Sequence, residues 1–364
     1  MADTLFTPIQ FGALNVPNRI FMAPLTRNRA KSDGTPNAMA ETYYGQRASA
    51  GLLISEATQI SPYGKGYIDT PGIYTDEHVA AWRGITDAVH ANGGRIFCQL
   101  WHVGRISHSS LLPNNDAPVS STDVAADAKT FTANGFESTS KPRALALSEI
   151  PQLIEDYAHA AKLAIQAGFD GVEVHSANGY LLDQFLQDGV NKRDDVYGGS
   201  IENRTRLTLE VVDRVVKEIG ADRTGIRLSP RGDSNDISDS DPEALFSALY
   251  KALDQRKLAY LHIVERFGHG SEGGEELIKK LRPNWTGFYI ANGAYDAESS
   301  AKVVADGYAH AVAIGKPFIA NPDLPERFRT GAPLNAQDTD TFYGGGAKGY
   351  IDYPFATLDR EKAA

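Results

Sequence analysis

His175, Asn178 and Tyr180 stand within six residues of one another in GVEVHSANGY at 171–180. A histidine and an asparagine that donate to the same oxygen can polarise a carbonyl or nitro group as an oxyanion site does. A tyrosine two residues further can deliver a proton as a general acid. The plainer reading is a histidine that ends its strand by bonding a carbonyl, followed by an Asn-Gly turn. Three donors at the end of one apolar run favour chemistry. Arg227, in GIRLS at 225–229, is a cation inside another such run. It reads either as a buried ion pair or as a fixed charge facing negative charge on a bound ring.

Such residues need a scaffold that gathers strand ends on one face. Short β-rich apolar runs occur at 19–25, 52–60, 95–101, 171–176, 225–229, 260–264, 287–292 and 311–315, alternating with helical patterns. Several are apolar throughout, as strands covered on both faces are. Eight βα units predict an α/β fold, a single (β/α)8 TIM barrel forming one unit over 1–364. Leu153, Ile154, Tyr157, Ala161, Ala164 and Ile165 recur at helical spacing, as do Leu207, Leu209, Val212, Val215, Val216 and Ile219. Asp241-Pro242 and Asn321-Pro322 each read as a capping side chain before a proline at the first helical position. The long polar stretch 103–148, after the third strand, predicts a lid. The first residues, with Phe11-Gly12, suggest a short N-terminal hairpin across the barrel bottom.

In a barrel of this kind the functional side chains lie at the C-terminal strand ends. Those positions hold Pro24, Thr26, Ala57, Gln99, Trp101, His175, Asn178, Tyr180, Arg227, Asn292, Gly293, Gly315 and Lys316. The set is rich in donors and poor in carboxylates, which suits an anionic or electron-rich ligand and speaks against a paired-acid hydrolase or a metal aldolase. Gly293 and Gly315-Lys316, after the last two strands, match the usual phosphate site of these barrels. GHGSEG at 268–273 fits the letter of a dinucleotide motif, but Glu272, Glu275 and Glu276 would oppose a pyrophosphate, and a flexible loop is expected there.

Bulk properties narrow the classes further. The 364 residues carry a formal charge of -10, which disfavours nucleic acid and anionic membrane as partners. No stretch is apolar enough to span a bilayer, the first residues do not read as a secretory signal, and Cys98 is the one cysteine. A cytoplasmic setting is expected, with no metal.

The residues also carry a family pattern. NRIFMAPLTR at 18–27, YYGQRASAGLLISEAT at 43–58, CQLWHVGRISH at 98–108, HSANGYLLDQFL at 175–186, YGGSIENR at 197–204 and FYGGGAKGYIDYP at 342–354 run through the whole chain. The sequence resembles the old yellow enzyme family of FMN-dependent ene-reductases, most closely the bacterial branch with N-ethylmaleimide reductase and pentaerythritol tetranitrate reductase. The resemblance implies non-covalent FMN across the barrel top, with its pyrimidine edge at Gln99 and Arg227 and its O4 at Thr26. Backbone near Pro24, Ala57, Asn292, Gly293, Gly315 and Lys316 would complete the cradle. His175 and Asn178 would bind the activating oxygen, Tyr180 would protonate Cα, and Tyr67, Trp101 and Tyr343 would shape the pocket. NADPH or NADH would be the donor and activated alkenes the acceptors. Lys316 stands where many relatives have arginine, and Asn178 where the nitrate-ester reductase has a second histidine. Nitrate esters or nitroaromatics are the alternative acceptors, and a cofactor-free or metal-dependent barrel lyase is the alternative from another class. A monomer is the expected oligomeric state.

Overall fold

Strands apolar on both faces need cover from helices outside and from packed side chains within. The computed structural model describes residues 2–232, 234–265 and 274–357, and in it the runs form β1 (Ile20–Met22), β2 (Leu53–Ile54), β3 (Ile96–Trp101), β4 (Gly171–Ser176), β5 (Thr224–Leu228), β6 (Tyr260–Val264), β7 (Tyr289–Asn292) and β8 (Ala311–Ile314). Every neighbouring pair is parallel, and β8 pairs back onto β1. The sheet is a closed eight-stranded barrel. The run at 268–273 lies outside the described residues.

Two expectations are corrected. The run 52–60 is not one strand: Leu53–Ile54 and Thr58–Gln59 each pair with β3, Ser55 N still donates to the Phe97 carbonyl at 2.9 Å, and Glu56 and Ala57 leave the ladder between them. That break is held by its own polar groups, since Glu56 N donates to the Tyr44 hydroxyl at 2.8 Å and the Glu56 carboxylate accepts from Arg27 N at 3.2 Å. The helix expected after Asn321-Pro322 begins only at Leu324, with Pro325 in its first turn. Asn321 instead donates to the Pro317 carbonyl and closes the preceding short helix.

The outer layer follows chain order. Helices α1 (Met39–Gln46), α2 (Asp76–Ala91), α3 (Ile150–Gln166), α4 (Leu181–Leu186), α5 (Ile201–Ile219), α6 (Pro242–Asp254), α7 (Gly274–Leu281), α8 (Ala297–Ala305), α9 (Lys316–Ala320) and α10 (Leu324–Thr330) alternate with the strands. Asp241 caps α6 by accepting from Ala244 N at 3.0 Å. Leu153, Tyr157, Ala161 and Ala164 of α3 and Leu207, Val212 and Val215 of α5 are buried at the spacing the sequence shows. Among the described residues no helix is long and apolar enough to cross a membrane.

The barrel floor is aromatic. A hairpin of Ile9–Phe11 and Leu14–Val16 places Phe11 against the rings of Phe21, Phe97, Tyr260 and Phe288, with centroids 5.0 to 6.1 Å away. Gly171 and Gly225 make room for these rings, because a Cβ would stand 2.4 Å from Phe97 and 2.3 Å from Tyr260. A solid floor leaves the opposite end for chemistry.

The insertion 103–148 carries a parallel pair, Val119–Ser120 with Arg143–Ala144, and an antiparallel hairpin, Lys129–Thr132 with Gly135–Ser138. Gln184 of α4 ties it down. Its amide donates to the Val103 and Gly179 carbonyls and accepts from Arg105 N and the Ser120 hydroxyl. A side chain at position 104 would collide with that amide, at 2.0 Å, so glycine is required there.

Candidate active site

Alternate residues of a barrel strand point inward, and here the inward positions near the strand ends are polar. Gln99 and Trp101 of β3, Glu173 and His175 of β4, Arg227 of β5, His262 of β6 and Asn292 of β7 share this level. Register fixes their neighbours: Gln99 is opposite Glu173, His175 opposite Arg227 and Arg227 opposite His262.

His175 and Tyr180 pack together, and Asn178 lies in the turn between them. Tyr180 begins α4, and its ring meets the edges of Trp101 at 5.0 Å and His175 at 5.2 Å between centroids. Its hydroxyl is 3.1 Å from that of Tyr67, whose ring stacks on Trp101 at 5.7 Å. Asn178 takes a left-handed backbone, φ 58°, which asparagine tolerates and most residues do not. The turn is pinned from three sides. Asn178 N donates to the Ser229 hydroxyl at 2.7 Å, Gly179 N to Asp183 at 2.9 Å, and the Asn235 amide to the Asn178 carbonyl at 2.7 Å.

Among the described residues three polar atoms of this cluster are buried without a partner: His175 Nδ1, Asn178 Oδ1 and Trp101 Nε1. Orphaned polar atoms cost free energy that a ligand can return by bonding to them. A half-turn of the Asn178 amide exchanges its oxygen for its NH2 at that point, so His175 and Asn178 can act as joint donors. Burial, then the charge of Arg227 and the nearby His262, push the His175 pKa well below its ordinary value. His175 is a neutral donor near pH 7. Burial raises the Tyr180 phenol, opposed by bonds from Tyr67 and Asn235, so it keeps its proton.

Beneath them lies a network absent from the strand-end reading. The Gln99 amide donates to Glu173 Oε1 at 2.7 Å, and His262 Nδ1 lies 2.8 Å from Glu173 Oε2. Arg227 Nη2 donates to the Asn292 side chain at 2.8 Å, and Asn292 in turn donates to the Ala313 carbonyl. Arg227 Nε is buried without a partner. The expected poverty of carboxylates is therefore corrected at one place, because Glu173 is fully buried among the donors. Its signal in the sequence was Glu173 and His175 at alternate positions of one apolar strand, with Tyr260 and His262 matching them in another.

The remaining expected residues surround this level. Pro24 and Thr26 follow β1 and are half-buried, and Ala57 sits in the break of β2. Gly293 follows β7 and Gly315 caps the start of α9, with Lys316 exposed beside it. A Cβ at Gly315 would touch only Leu25, at 3.4 Å, so the backbone there is open to a ligand. Tyr343 is 63% exposed, on a segment that Arg27 and Arg29 hold against the end of β1. Arg27 donates to the Phe342 and Gly349 carbonyls at 2.9 Å, and Arg29 to Thr341 at 2.9 Å and Gly346 at 3.1 Å. A guanidinium with a buried N-H left unpartnered among the described residues, an adjacent amide, and the open backbone of Gly315 beside Lys316 fit a flat heteroaromatic cofactor with a phosphate tail.

Comparison with known proteins agrees. Residues 4–335 match the NADH:flavin oxidoreductase / NADH oxidase family. The chain is 50% identical over 361 residues to 12-oxophytodienoate reductase 1 of Oryza sativa subsp. japonica, covering 97% of this chain and 93% of that one. It is 51% identical to morphinone reductase solved in complex with tetrahydroNAD, with a TM-score of 0.91 and 98% of each chain covered. The old yellow enzyme homologue from Zymomonas mobilis is 45% identical at a TM-score of 0.93, covering 96% of this chain and 99% of that one. With its closed barrel and donor-lined strand ends, this chain belongs to the NADH:flavin oxidoreductase / NADH oxidase family, the old yellow enzyme family, and is an FMN-dependent oxidoreductase.

Proposed function

We propose that the protein is an NAD(P)H-dependent ene-reductase that reduces the C=C bond of alkenes activated by a carbonyl or nitro group. The observation that carries this reading is the Tyr180 ring standing edge-on to both Trp101 and His175, with its hydroxyl 3.1 Å from that of Tyr67 and with Asn178 in the turn that leads to it. FMN, when bound, would supply the two-electron redox chemistry that links the nicotinamide to the alkene. The protein does the rest. His175 and Asn178 donate to the activating oxygen and hold the negative charge that grows there. The Tyr180 hydroxyl gives its proton to the α-carbon from the opposite face. Trp101 and Tyr67 fix the phenol and exclude water. Gln99, Arg227 and Thr26 hold the flavin ring, and Gly293, Gly315 and Lys316 hold its phosphate, aided by backbone at Pro24, Ala57 and Asn292. The insertion 103–148 acts as a lid on a single FMN-binding unit, with Tyr343 at the mouth.

The names of two similar proteins support this choice of acceptor. By their names, 12-oxophytodienoate carries an oxo group beside unsaturation and morphinone is a ketone; maleimides and nitroalkenes belong to the proposal as further activated alkenes. The tetrahydroNAD complex of morphinone reductase supports a nicotinamide donor. The test is an anaerobic visible spectrum of the purified protein, taken before and after NADPH and again after 2-cyclohexenone. Bleaching by NADPH and return of the oxidised band with the enone are expected. A bleached flavin that the enone does not restore would sink the alkene reading, and nitrite release would then identify nitro compounds.

A further inference from the structure

Arg227 is a full positive charge buried at the level where the flavin ring is held, and a lone buried charge is costly unless something opposes it. The carboxylate whose charge acts on it is Glu173, two residues before His175, the register partner of Arg227 on β4. Glu173 is itself tied on both oxygens, by the Gln99 amide at 2.7 Å and by His262 Nδ1 at 2.8 Å. A carboxylate only accepts, so both partners must present N-H groups to it. For Gln99 this fixes which end of the amide faces Glu173 and leaves the carbonyl oxygen to the other side. For His262 it fixes the tautomer with the proton on Nδ1, and Nε2 is left buried without a partner.

We propose that Glu173 is a positioning residue that sets the reduction potential of the bound flavin, by opposing the charge of Arg227 and by orienting the Gln99 amide. The charge state agrees with this role. Burial pushes the Glu173 carboxyl up, but His262, Arg227 and the Gln99 bond more than reverse it, and the group is held below the usual carboxylate range. Burial lowers His262 as well, against the pull of Glu173. An Arg227 left unopposed would favour the reduced, anionic flavin more strongly. Glu173 lowers the potential from that value, which makes hydride release to an alkene more favourable than with Arg227 alone.

This rests on the flavin ring lying over Gln99 and Arg227. The experiment is spectroelectrochemical titration of the FMN-loaded protein together with Kd for oxidised and reduced FMN. In Glu173→Gln the amide can still accept from Gln99 and donate to His262 with its tautomer exchanged, so the packing is kept while the charge is lost. Its reduced FMN is expected to bind about tenfold more tightly relative to oxidised FMN, a potential about 30 mV more positive. Glu173→Asp, which keeps the charge, stays near the parent. A Glu173→Gln protein with parental potential, or an equal shift in Glu173→Asp, would overturn the proposal. Should the single variant fold poorly, Arg227→Gln and the Arg227→Gln/Glu173→Gln double variant replace it. Loss of the Glu173 charge again raises the potential between those two, and equal values would overturn it. An Arg227→Gln protein with unaltered potential would show that the ring lies elsewhere, removing the ground of the proposal rather than the role of Glu173 within it.

Discussion

The Tyr180 and Tyr67 hydroxyls lie 3.1 Å apart, and the ring of each packs on Trp101. One tryptophan thus sets the aim of both phenols. A proton leaving Tyr180 would leave an oxygen that Tyr67 and Asn235 can each stabilise. Tyr180→Phe is expected to leave flavin reduction by NADPH intact and to slow reoxidation by an enone by about 100-fold or more. Tyr67→Phe should slow the same step by roughly tenfold, the worth of one hydrogen bond. Stopped-flow traces of the two half-reactions check both, and enone reoxidation at the parental rate in Tyr180→Phe would remove its role as proton donor.

Gln184 uses both ends of its amide to join the insertion to the active-site turn. Gln184→Ala leaves two buried carbonyls and the Arg105 N-H short of partners, a loss of roughly 2 to 4 kcal/mol in stability. Hydrogen exchange should quicken in 103–148 and 178–180 together. Exchange that quickens in only one of these segments would show that they do not move as a unit.

Two carboxyls give the protein an unusual dependence of stability on pH. Burial pushes Glu56 from 4.5 up to about 7 and Asp183 from 3.8 up to about 7. Between their unfolded and folded values the native state binds more protons than the unfolded chain, so these groups stabilise most below pH 4 and their contribution is lost as pH rises through 7. Paired surface acids such as Glu149, Glu155 and Asp195, held below their usual range chiefly by Arg143, Arg214 and Arg193, are already ionised by pH 5 and do not offset this loss. Denaturant midpoints of Glu56→Gln and Asp183→Asn should fall less than those of the parent over that range, by an amount on the order of a few kcal/mol. Parallel profiles would show that both groups are ionised in the fold.

Lys316 offers a point charge beside the open backbone of Gly315. Lys316→Ala should weaken FMN binding by about tenfold, as loss of one charge-assisted bond does, and more at low than at high salt. Dilution and ultrafiltration of the loaded protein measure it. Full retention of FMN would move the phosphate to other groups.

The barrel was legible because its strands are apolar on both faces, a pattern that survives without knowledge of partners. His175, Asn178 and Tyr180 were legible because they are close in sequence. Glu173 and His262 were not, since their meaning arises from register across β3 to β6, and a single Glu in GVEVH looks like an outward-facing charge. The break in β2 was hidden for a related reason: Glu56 leaves the ladder for Tyr44 and Arg27, partners that no local pattern reveals. Asn321-Pro322 misled because a proline suits the end of one helix as well as the start of the next. The shape of the turn at Asn178 depends on Ser229, Asp183 and Asn235, all distant or on other elements.

Arg27 and the Phe342 carbonyl that it bonds are 315 residues apart in the chain. At ribosomal speeds of about 5 to 20 residues per second, the arginine waits roughly 15 to 60 s for its acceptor. For most of that interval β1 also lacks β8, and two guanidinium groups destined for burial remain in water. The nascent protein therefore stays an open, chaperone-accessible sheet through most of its synthesis, and its flavin-binding face is completed last.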